Sequence, residues 1–291
     1  MLFRSKYSVK VLKKDEIAKL GMNCIKSVGK GSKNEPRFVI MKYNGTIKKK
    51  TPIVLVGKGV TFDSGGTNIK PSSGMEEMKM DMCGAAAVVG KFEAVSKLKL
   101  KINLIGLLPL VENMPGGKAI KPSDIIKSYN GKTIEINNTD TEGRLVLADA
   151  LGFAKKYNPE LVIDLATLTG AAISALGSIT TAAMGNSDKY MQKLISAGKD
   201  TNERIWELPL WDEYEYLIKC ENADINNIGP KGEAGSITGG MFLKKFAEGY
   251  NWIHLDIAGT AISKTKSDYI PKYATGVGVR LITRFLQNNI D

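Results

Sequence analysis

Residues 57–66, with the sequence GKGVTFDSGG, follow an apolar run at residues 52–56 that is typical of a short buried strand. We expect the polar side chains of this stretch to lie in a loop at the carboxyl end of that strand, where open α/β sheets hold their ligands. A second polar stretch, residues 138–144 (NTDTEGR), comes just before a helical pattern. Both stretches are interrupted by glycine, and we expect them to face each other.

The segments around these two stretches alternate between strand and helix patterns. The predicted strands are residues 37–43, 53–56, 102–110, 133–136, 161–165 and 253–257. The predicted helices are residues 9–19, 85–98, 145–157, 188–197, 211–219, 238–247 and 276–288. Between them we predict a turn at residues 44–50, a long Gly- and Pro-rich loop at 112–124, and a third loop at the same sheet edge at 167–170. This order predicts an α/β fold.

Residues 1–35 differ in pattern from the rest of the chain. Residues 9–19, followed by Leu20 and Gly21, predict a short helix ended by glycine, and residues 28–32 predict a linker. The 291 residues, 43% of them apolar, suffice for one large domain or two small ones. Because residues 1–35 are too few for a domain, we assign residues 36–291 to one main domain.

The chain is basic, with 41 Lys and Arg against 30 Asp and Glu and a formal net charge of +11. Such a charge favours polyanions through counterion release. However, the basic residues are spread along the chain, and the densest run is residues 48–50. We therefore expect a solvated basic surface, with nucleic acid as no more than a secondary partner.

Cysteine usage and the apolar segments indicate the compartment. Cys24, Cys83 and Cys220 are far apart and form no Cys-x-x-Cys pair, which argues against a disulfide framework or a thiolate zinc site. The sequence has no apolar core of signal-peptide length, and no stretch approaches the roughly 18 apolar residues of a membrane span. We expect a soluble, cytoplasmic protein without a membrane partner.

Four acidic residues in and after the two polar stretches are candidate metal ligands: Asp63, Asp81, Asp140 and Glu142. An extended backbone in the second stretch would aim Asp140, Glu142 and Arg144 the same way. Four converging carboxylates repel one another, so positive charge must lie between them. For a single acid, a surface turn or a helix cap is the simpler interpretation. The whole set in two glycine-rich turns favours a metal site.

Two divalent cations would neutralise four carboxylates. A paired-metal site about 3.5 to 4 Å across lets shared carboxylates bridge both ions and activates a water or hydroxide. Oxygen-rich ligation suits Mn²⁺ or Mg²⁺, while Zn²⁺ also accepts carboxylate and nitrogen ligands. Because His254 is the one histidine of the sequence, the usual imidazole zinc site is excluded. His254 lies in a strand pattern beside Asp256, which is more typical of a hydrogen-bonded core residue than of a catalytic base.

Several motifs together resemble the cytosolic leucine aminopeptidase family of two-metal exopeptidases. They are residues 57–66, Ile69-Lys70-Pro71, Met80-Asp81-Met82 and, above all, residues 138–145 (NTDTEGRL). The resemblance runs from about residue 9 to the C-terminus. It implies a three-layer α/β/α sandwich with a mixed central sheet. It also implies an aminopeptidase that releases N-terminal Leu, Met and other apolar residues from peptides through a hydroxide activated by two metals.

The resemblance implies metal-binding roles for five residues. Asp63 and Glu142 match the bridging carboxylates, and Asp140 matches a ligand of the more exchangeable metal. Lys58 and Asp81 match ligands of the tightly held metal. Because lysine binds a metal only as a neutral amine, we expect a low pKa at Lys58, with a salt bridge to Asp63 as the alternative.

Catalytic and substrate-binding roles are also implied. Lys70 and Arg144 match the two catalytic positions, and the counterpart of Arg144 holds a bicarbonate ion that serves as general base. We expect Lys70 to stay charged and to face the developing oxyanion. The positions that match substrate-contacting residues of the family are Met78, Asn138, Thr167, Leu168 and Gly170. Of these, Met78 has core packing as its alternative role.

The sequence departs from the family pattern in two places. Residues 1–35 match only the last helix and linker of the family's N-terminal domain, which helps to build a hexamer, so we expect a homo-oligomer that is either a hexamer or a trimer. Thr141 replaces the alanine that the family usually has between the two acidic positions matched by Asp140 and Glu142.

Two other functions stay open. One is an inactive homologue that binds polyanions or nucleic acid, and the other is a two-metal phosphoesterase in which Lys70 and Arg144 hold a phosphoryl group.

Overall fold

The apolar run that precedes Lys58 forms a central strand of a large mixed sheet in the computed structural model, which describes residues 7–46 and 51–289. Within these residues the strands are β1 (Ser8–Leu12), β2 (Arg37–Asn44), β3 (Ile53–Gly57), β4 (Gly59–Asp63), β5 (Asn103–Asn113), β6 (Ile125–Lys127), β7 (Thr133–Glu135), β8 (Leu161–Ala166), β9 (Thr181–Gly185), β10 (Ile205–Glu207), β11 (Ile225–Asn226), β12 (Trp252–Asp256), β13 (Ile262–Ser263) and β14 (Tyr273–Ala274).

Helices lie between these strands. The α-helices are α1 (Lys14–Lys19), α2 (Asn23–Val28), α3 (Cys83–Leu98), α4 (Glu142–Ala154), α5 (Gly170–Leu176), α6 (Asp188–Thr201), α7 (Gly235–Lys244) and α8 (Val279–Gln287). Short 3-10 helices are found at Gly29–Gly31, Met75–Met80, Thr139–Thr141, Lys155–Tyr157 and Asp212–Ile218. None of the helices in the described residues is both long and apolar enough to cross a membrane.

The main sheet has the strand order β1-β2-β5-β3-β8-β12-β9-β10, and β4 pairs with the end of β5. Its central strands β5, β3, β8 and β12 are parallel. Strands β1 and β2 are added antiparallel at one side, and β9 is antiparallel to β12 at the other. Two small sheets, β11-β7-β6 and β13-β14, lie outside it. The sheet is therefore mixed, as predicted.

Side-chain alternation along β3 explains the layers. All five residues of β3 are buried, since successive side chains point to opposite faces and helices cover both faces. Val54 and Val56 belong to a hydrophobic core shared with α2, α4 and α7. Ile53 and Leu55 belong to a second core shared with α3, α6 and α8. This arrangement confirms the predicted three-layer α/β/α sandwich.

The first helix prediction is wrong in part. Residues 8–12 form β1, which pairs antiparallel with β2, and the helix covers only Lys14–Lys19. Val9 and Val11 alternate with lysine, a period of two that suits a strand, and the pairing with β2 decides between the two structures. Gly21 follows the helix with a φ of +74°, which confirms the predicted glycine ending. The domain boundary at residue 35 stays a prediction.

Other differences concern the ends and types of elements. Residues 59–63 form β4 instead of a loop, and β5 continues to residue 113, which shortens the predicted long loop. The helix predicted at 211–219 is a 3-10 helix over Asp212–Ile218. The predicted linker at 28–32 is the last residue of α2 and a 3-10 turn. Residues 47–50, which hold most of the predicted 44–50 turn and the lysine run, lie outside the described residues.

A buried carboxylate joins the N-terminal segment to α4. Asp149 accepts hydrogen bonds from the backbone N–H of Ile25 at 3.0 Å and of Tyr129 at 2.8 Å. Burial raises the pKa of Asp149 to about 7, although the two backbone donors oppose the shift. This pKa exceeds the value of about 4 that an aspartate has in an unfolded chain. The contribution of Asp149 to the free energy of unfolding is therefore complete below pH 4 and is lost as the pH rises through 7.

We therefore expect Asp149→Asn to cost more stability at pH 5 than at pH 8. The asparagine side chain does not titrate between these pH values. The change in the cost of the substitution with pH therefore reports the ionisation of Asp149 in the wild type. Urea unfolding at both pH values should show a difference on the order of 2 kcal/mol in the cost of the substitution. An equal cost at pH 5 and pH 8 would contradict the raised pKa.

Candidate active site

The two polar stretches lie at the carboxyl edge of the parallel strands. β3 and β8 end together, with Gly57 opposite Leu165, and Lys58 N then donates to the Leu165 carbonyl at 3.0 Å. β12 ends beside them, with Asp256 opposite Ala166. The chain segments after these three strands therefore meet at one edge, which is the location predicted for the site.

Asn113 joins the first polar stretch to the second. β4 runs parallel to the end of β5 with a register shift between Val60 and Asp63, which places Asp63 opposite Asn113. The Asn113 amide donates to Asp63 Oδ1 at 2.8 Å and to the Thr139 carbonyl at 3.1 Å. Sequence analysis missed Asn113, which falls in the predicted loop 112–124 and is marked by no motif.

Thr139 makes the second connection and is fully buried. Its hydroxyl donates to the Gly65 carbonyl at 2.6 Å and accepts from Asn68 N at 2.9 Å. Gly65 has a φ of +87°, and a Cβ atom there would lie 2.7 Å from Asp140 Oδ1. Only glycine fits this position, which brings the backbone of the first stretch against the second.

The second stretch is not extended, so the predicted alternation of Asp140, Glu142 and Arg144 is wrong. The Asn138 side chain accepts from Asp140 N at 2.8 Å and so supports the 3-10 turn Thr139–Thr141. Glu142 then begins α4, and Arg144 lies in its first turn. Asn138 stabilises this turn as a capping residue, and a carboxylate suits the N-terminal end of a helix. The two acids converge because a turn leads directly into a helix.

Three of the predicted metal ligands form one cluster. Asp63, Asp140 and Glu142 each place a carboxylate oxygen within 4.8 Å of the other two. The Lys70 ammonium lies 2.8 Å from Asp63 Oδ2 and 2.7 Å from Asp140 Oδ1. The cluster therefore contains residues from both polar stretches.

Lys58 connects this cluster to Asp81. Its Nζ lies 2.8 Å from Asp81 Oδ1 and 3.2 Å from Glu142 Oε1, and it donates to the Thr167 carbonyl at 2.9 Å. The alternative of a salt bridge between Lys58 and Asp63 is therefore wrong. A Cβ atom at Gly143 would lie 2.5 Å from Lys58 Nζ, so the absent side chain makes room for this amine.

The burial of these charges shifts their pKa values. Burial raises the pKa of Asp81 to about 6, partly opposed by the charge of Lys58. Burial also raises the pKa of Glu142 well above its ordinary value. For Lys58, burial lowers the pKa, but Asp81, Glu142 and Asp63 outweigh it and raise the pKa above the ordinary value. The low pKa expected for Lys58 requires a dication, because the protein groups alone have the opposite effect.

The donor set fits divalent cations. Four carboxylates, from Asp63, Asp81, Asp140 and Glu142, face the two ammonium groups of Lys58 and Lys70, so two negative charges are left without a counterion among these six side chains. Asp81 Oδ2 is buried without a hydrogen-bond partner among the described residues. An unpaired buried carboxylate oxygen is costly, and carboxylate oxygens with one amine nitrogen suit Mn²⁺, Mg²⁺ or Zn²⁺.

Arg144 lies next to the cluster and is buried. Its Nη1 donates to the Asn227 carbonyl at 2.8 Å, and its Cζ lies 5.9 Å from the centre of the Phe242 ring. Burial lowers the pKa of Arg144 to about 10, against the charges of Glu142 and Asp256, so it stays a cation at neutral pH. Its Nε is buried without a partner among the described residues and is free to donate to an anion.

The predicted substrate residues lie in different surroundings. The Thr167 hydroxyl donates to Asp81 Oδ1 at 2.6 Å, whereas Leu168 packs partly buried against the core. Met78 is partly exposed in a 3-10 helix, so the core-packing alternative is wrong. Its carbonyl accepts from Asp81 N at 3.3 Å. Gly170 is exposed at the start of α5, and Asn138 caps the second turn.

A cavity of about 700 Å³ is lined mostly by residues between 258 and 280, and none of the five predicted substrate residues lines it. Its apolar wall includes Met80, next to Asp81, together with Ile173 and Ile179 from α5 and the segment after it. Ala258, two residues after Asp256, also lines it. The cavity neighbours the acid cluster in sequence only through Met80, and none of the cluster side chains lines it.

His254 is a core residue, as predicted. It is fully buried, and its Nδ1 lies 2.6 Å from Asp164 Oδ1. The second oxygen of Asp164 accepts from Trp252 Nε1 at 2.6 Å. Asp164 thus fixes two neighbouring side chains of β12.

Comparison with known proteins identifies related chains. The family model described as cytosol aminopeptidase family, catalytic domain, matches residues 3–283. A probable cytosol aminopeptidase of Geobacter sp. (strain M21) is 52% identical over 284 residues, which are 98% of this chain and 58% of that protein. The corresponding protein of Pseudomonas aeruginosa (strain UCBPP-PA14) is 52% identical over 279 residues, or 96% and 55% of the two chains. That of Aromatoleum aromaticum is 50% identical over 281 residues, or 97% and 55%. The chain spans a little over half the length of these relatives.

Metal binding to the acid cluster should stabilise the fold. We expect Mn²⁺ or Zn²⁺ at about 100 times its Kd to add about 2.7 kcal/mol to the free energy of unfolding, because the unfolded chain lacks the assembled site. Differential scanning calorimetry would show this as a rise in Tm. A protein carrying both Asp140→Asn and Glu142→Gln should lose most of the rise.

The matched control is Asp188→Asn, which changes an exposed acid at the start of α6 and should keep the full rise. If the double variant is stabilised by metal as much as the wild type, the cluster does not hold the ion.

Proposed function

The chain belongs to the cytosol aminopeptidase family, and on this premise we propose that it is a metal-dependent aminopeptidase that releases N-terminal residues from peptides. The convergence of four carboxylates, two lysines and one arginine at the carboxyl edge of the sheet carries the proposal. Relatives named probable cytosol aminopeptidase support the same activity.

Two divalent cations, Mn²⁺, Zn²⁺ or Mg²⁺, fit the acid cluster. The residues that would hold them are Lys58, Asp63, Asp81, Asp140 and Glu142. When bound, such ions supply Lewis-acid polarisation of the scissile carbonyl and a lowered pKa for water. Two observations support this assignment: Asp81 Oδ2 is buried without a partner in the described part of the chain, and Glu142 lies both in the cluster with Asp63 and Asp140 and 3.2 Å from Lys58 Nζ.

Lys70 is the proposed donor to the oxyanion of the transition state. Its side chain is 20% exposed, compared with 4% for Lys58, so Lys70 faces the open side of the cluster. Burial lowers the pKa of Lys70, but Asp63 and Asp140 outweigh burial and raise it above the ordinary value. Lys70 therefore stays an ammonium at neutral pH and can stabilise negative charge that develops on the carbonyl oxygen.

Arg144 is the proposed site of an anion that acts as general base. Its guanidinium is fixed on one side by the Asn227 carbonyl and has a buried Nε without a partner among the described residues. A planar guanidinium recognises carboxylate-like anions, and bicarbonate has this geometry. Arg144 would hold this anion, which when bound would supply a base for proton transfer.

The negative charge of the cluster favours substrates with a free α-amino group. Asp140 contributes to this charge at the open side, where its side chain is 31% exposed. We propose that Met78, Asn138, Thr167, Leu168 and Gly170 contact the peptide and its first side chain. Selectivity for Leu or Met over smaller residues is then limited to about 1 to 3 kcal/mol for each methylene.

Three further expectations stay predictions. They are the assembly into a hexamer or trimer, the cytoplasmic location, and nucleic acid as a secondary partner.

The proposed activity is tested with leucyl amide and Leu-Gly in the presence of Mn²⁺ or Zn²⁺. We expect hydrolysis of both, measured as released leucine, because each substrate presents a free amine next to the scissile bond. N-acetyl-leucyl amide is the matched control and should stay intact, since acetylation removes the amine. Failure to cleave leucyl amide with either metal would refute the proposal.

Lys70→Ala and Asp63→Ala should separate catalysis from metal binding. We expect Lys70→Ala to keep its metal but to lose about 10²- to 10³-fold in kcat, the usual effect of removing one oxyanion donor. Asp63→Ala should lose both metal and activity. Metal content by elemental analysis and kcat on leucyl amide would be measured together, with Lys79→Ala, an exposed lysine, as the control. Full activity in either variant would show that these roles are assigned wrongly.

A further inference from the structure

Asn227 lies directly behind the second polar stretch and is fully buried. It follows β11, which pairs parallel with β7, so the two strands end side by side. Asn227 N donates to the Glu135 carbonyl at 3.1 Å and extends this pairing by one residue. The backbone of Asn227 is thereby fixed against the segment that leads into the turn.

The Asn227 side chain uses its full hydrogen-bonding capacity on that turn. Oδ1 accepts from the backbone N–H of Asn137 at 2.8 Å and of Asn138 at 3.2 Å. Nδ2 donates to the Asn138 carbonyl at 2.6 Å and to the Thr141 hydroxyl at 2.6 Å. Two acceptor and two donor positions are what a side-chain amide offers, and no other side chain of this length supplies both.

The main chain of the same residue holds Arg144. The Asn227 carbonyl accepts from Arg144 Nη1 at 2.8 Å, the hydrogen bond that orients the buried guanidinium. The side chain therefore fixes the backbone on both sides of Asp140, at Asn138 and Thr141, while the carbonyl fixes Arg144. The relative position of Asp140 and Arg144 depends on one residue that carries no charge.

Thr141 adds to this connection. Its hydroxyl lies 2.9 Å from the Asn138 carbonyl, to which it donates, and accepts from Asn227 Nδ2. Alanine at this position, the residue expected from the family resemblance, would leave one N–H of the buried amide without this acceptor. Threonine thus supplies a second acceptor for Asn227 and preserves the turn rather than distorting it.

We infer that Asn227 is a positioning residue, which acts on the reaction through Arg144 and the Asn138–Thr141 turn and does not itself touch the substrate. The inference rests on the proposed function. It predicts that loss of the amide lowers turnover more than it weakens substrate binding, since four of the five proposed metal-binding residues, Lys58, Asp63, Asp81 and Glu142, lie outside this turn.

The test compares Asn227→Ala with Asn226→Ala in steady-state kinetics on leucyl amide. Asn226 is the matched control, because it is adjacent in sequence and its side chain accepts only from Ile228 N, at 2.7 Å, among the described residues. We expect Asn227→Ala to lower kcat by about 10- to 100-fold with KM changed by less than about 3-fold, since small misplacements of catalytic groups have effects of this size. Asn226→Ala should stay within about 2-fold of the wild type in both parameters.

A double-mutant cycle with Arg144→Ala distinguishes positioning from general destabilisation. If Asn227 acts through Arg144, Asn227→Ala should lower kcat by less than about 3-fold in the Arg144→Ala background. The same fold-loss in both backgrounds would overturn the action of Asn227 through Arg144. Thr141→Val, which removes one acceptor and keeps the side-chain shape, should lower kcat by a smaller factor and provides the test if Asn227→Ala does not fold.

Hydrogen exchange provides a measurement that does not depend on activity. The amides of Asn137 and Asn138 donate to Asn227 Oδ1, so we expect them to exchange faster in Asn227→Ala than in the wild type or Asn226→Ala. Unchanged exchange would overturn the inference even if the wild type is an active peptidase. A wild type that hydrolyses no substrate, with faster exchange in the variant, would refute the proposed function and support the positioning of the turn by Asn227.

Discussion

The mutual repulsion of four converging carboxylates is the constraint on which the architecture of this site depends. Asp63, Asp81, and the pair Asp140 and Glu142 come from three different segments, and bringing them together without cations would be unfavourable. Lys58 and Lys70 offset part of the repulsion, each by contacting two of the acids. The remaining negative charge defines a pocket suited to dications. The centre of the site is therefore acidic, although the whole chain has a formal charge of +11.

Neutral groups hold these charges in place. Asn113 and Thr139 connect the two polar stretches, and Asn227 fixes the turn that contains Asp140. Each lies at or next to the end of a strand or helix, where the rigid sheet determines its position. The charged residues supply the chemistry, and these amides, hydroxyls and backbone groups supply the geometry.

The sequence predicts the central fold better than its edges. The apolar runs of β3 and β8 are buried on both faces, and their composition alone indicates buried strands. By contrast, β4 contains a glycine, a threonine and an aspartate in five residues, and β1 alternates valine with lysine, so both depend on pairing with a distant strand. The acids were found because charges in glycine-rich turns form a recognisable motif. Asn113 and Asn227 were not found, because their importance comes from remote backbone groups that no local pattern records.

The connection between Gly65 and Thr139 has a consequence for how the protein acquires its native state. The two residues are 74 positions apart in the chain, and their hydrogen bond closes the loop that runs from β4 to α4. Closing such a loop before the sheet has formed is entropically unfavourable, so the pocket should assemble late during folding. Nascent chains would then acquire affinity for cations only after the hydrophobic layers have packed, and premature loading of partly folded molecules would be avoided.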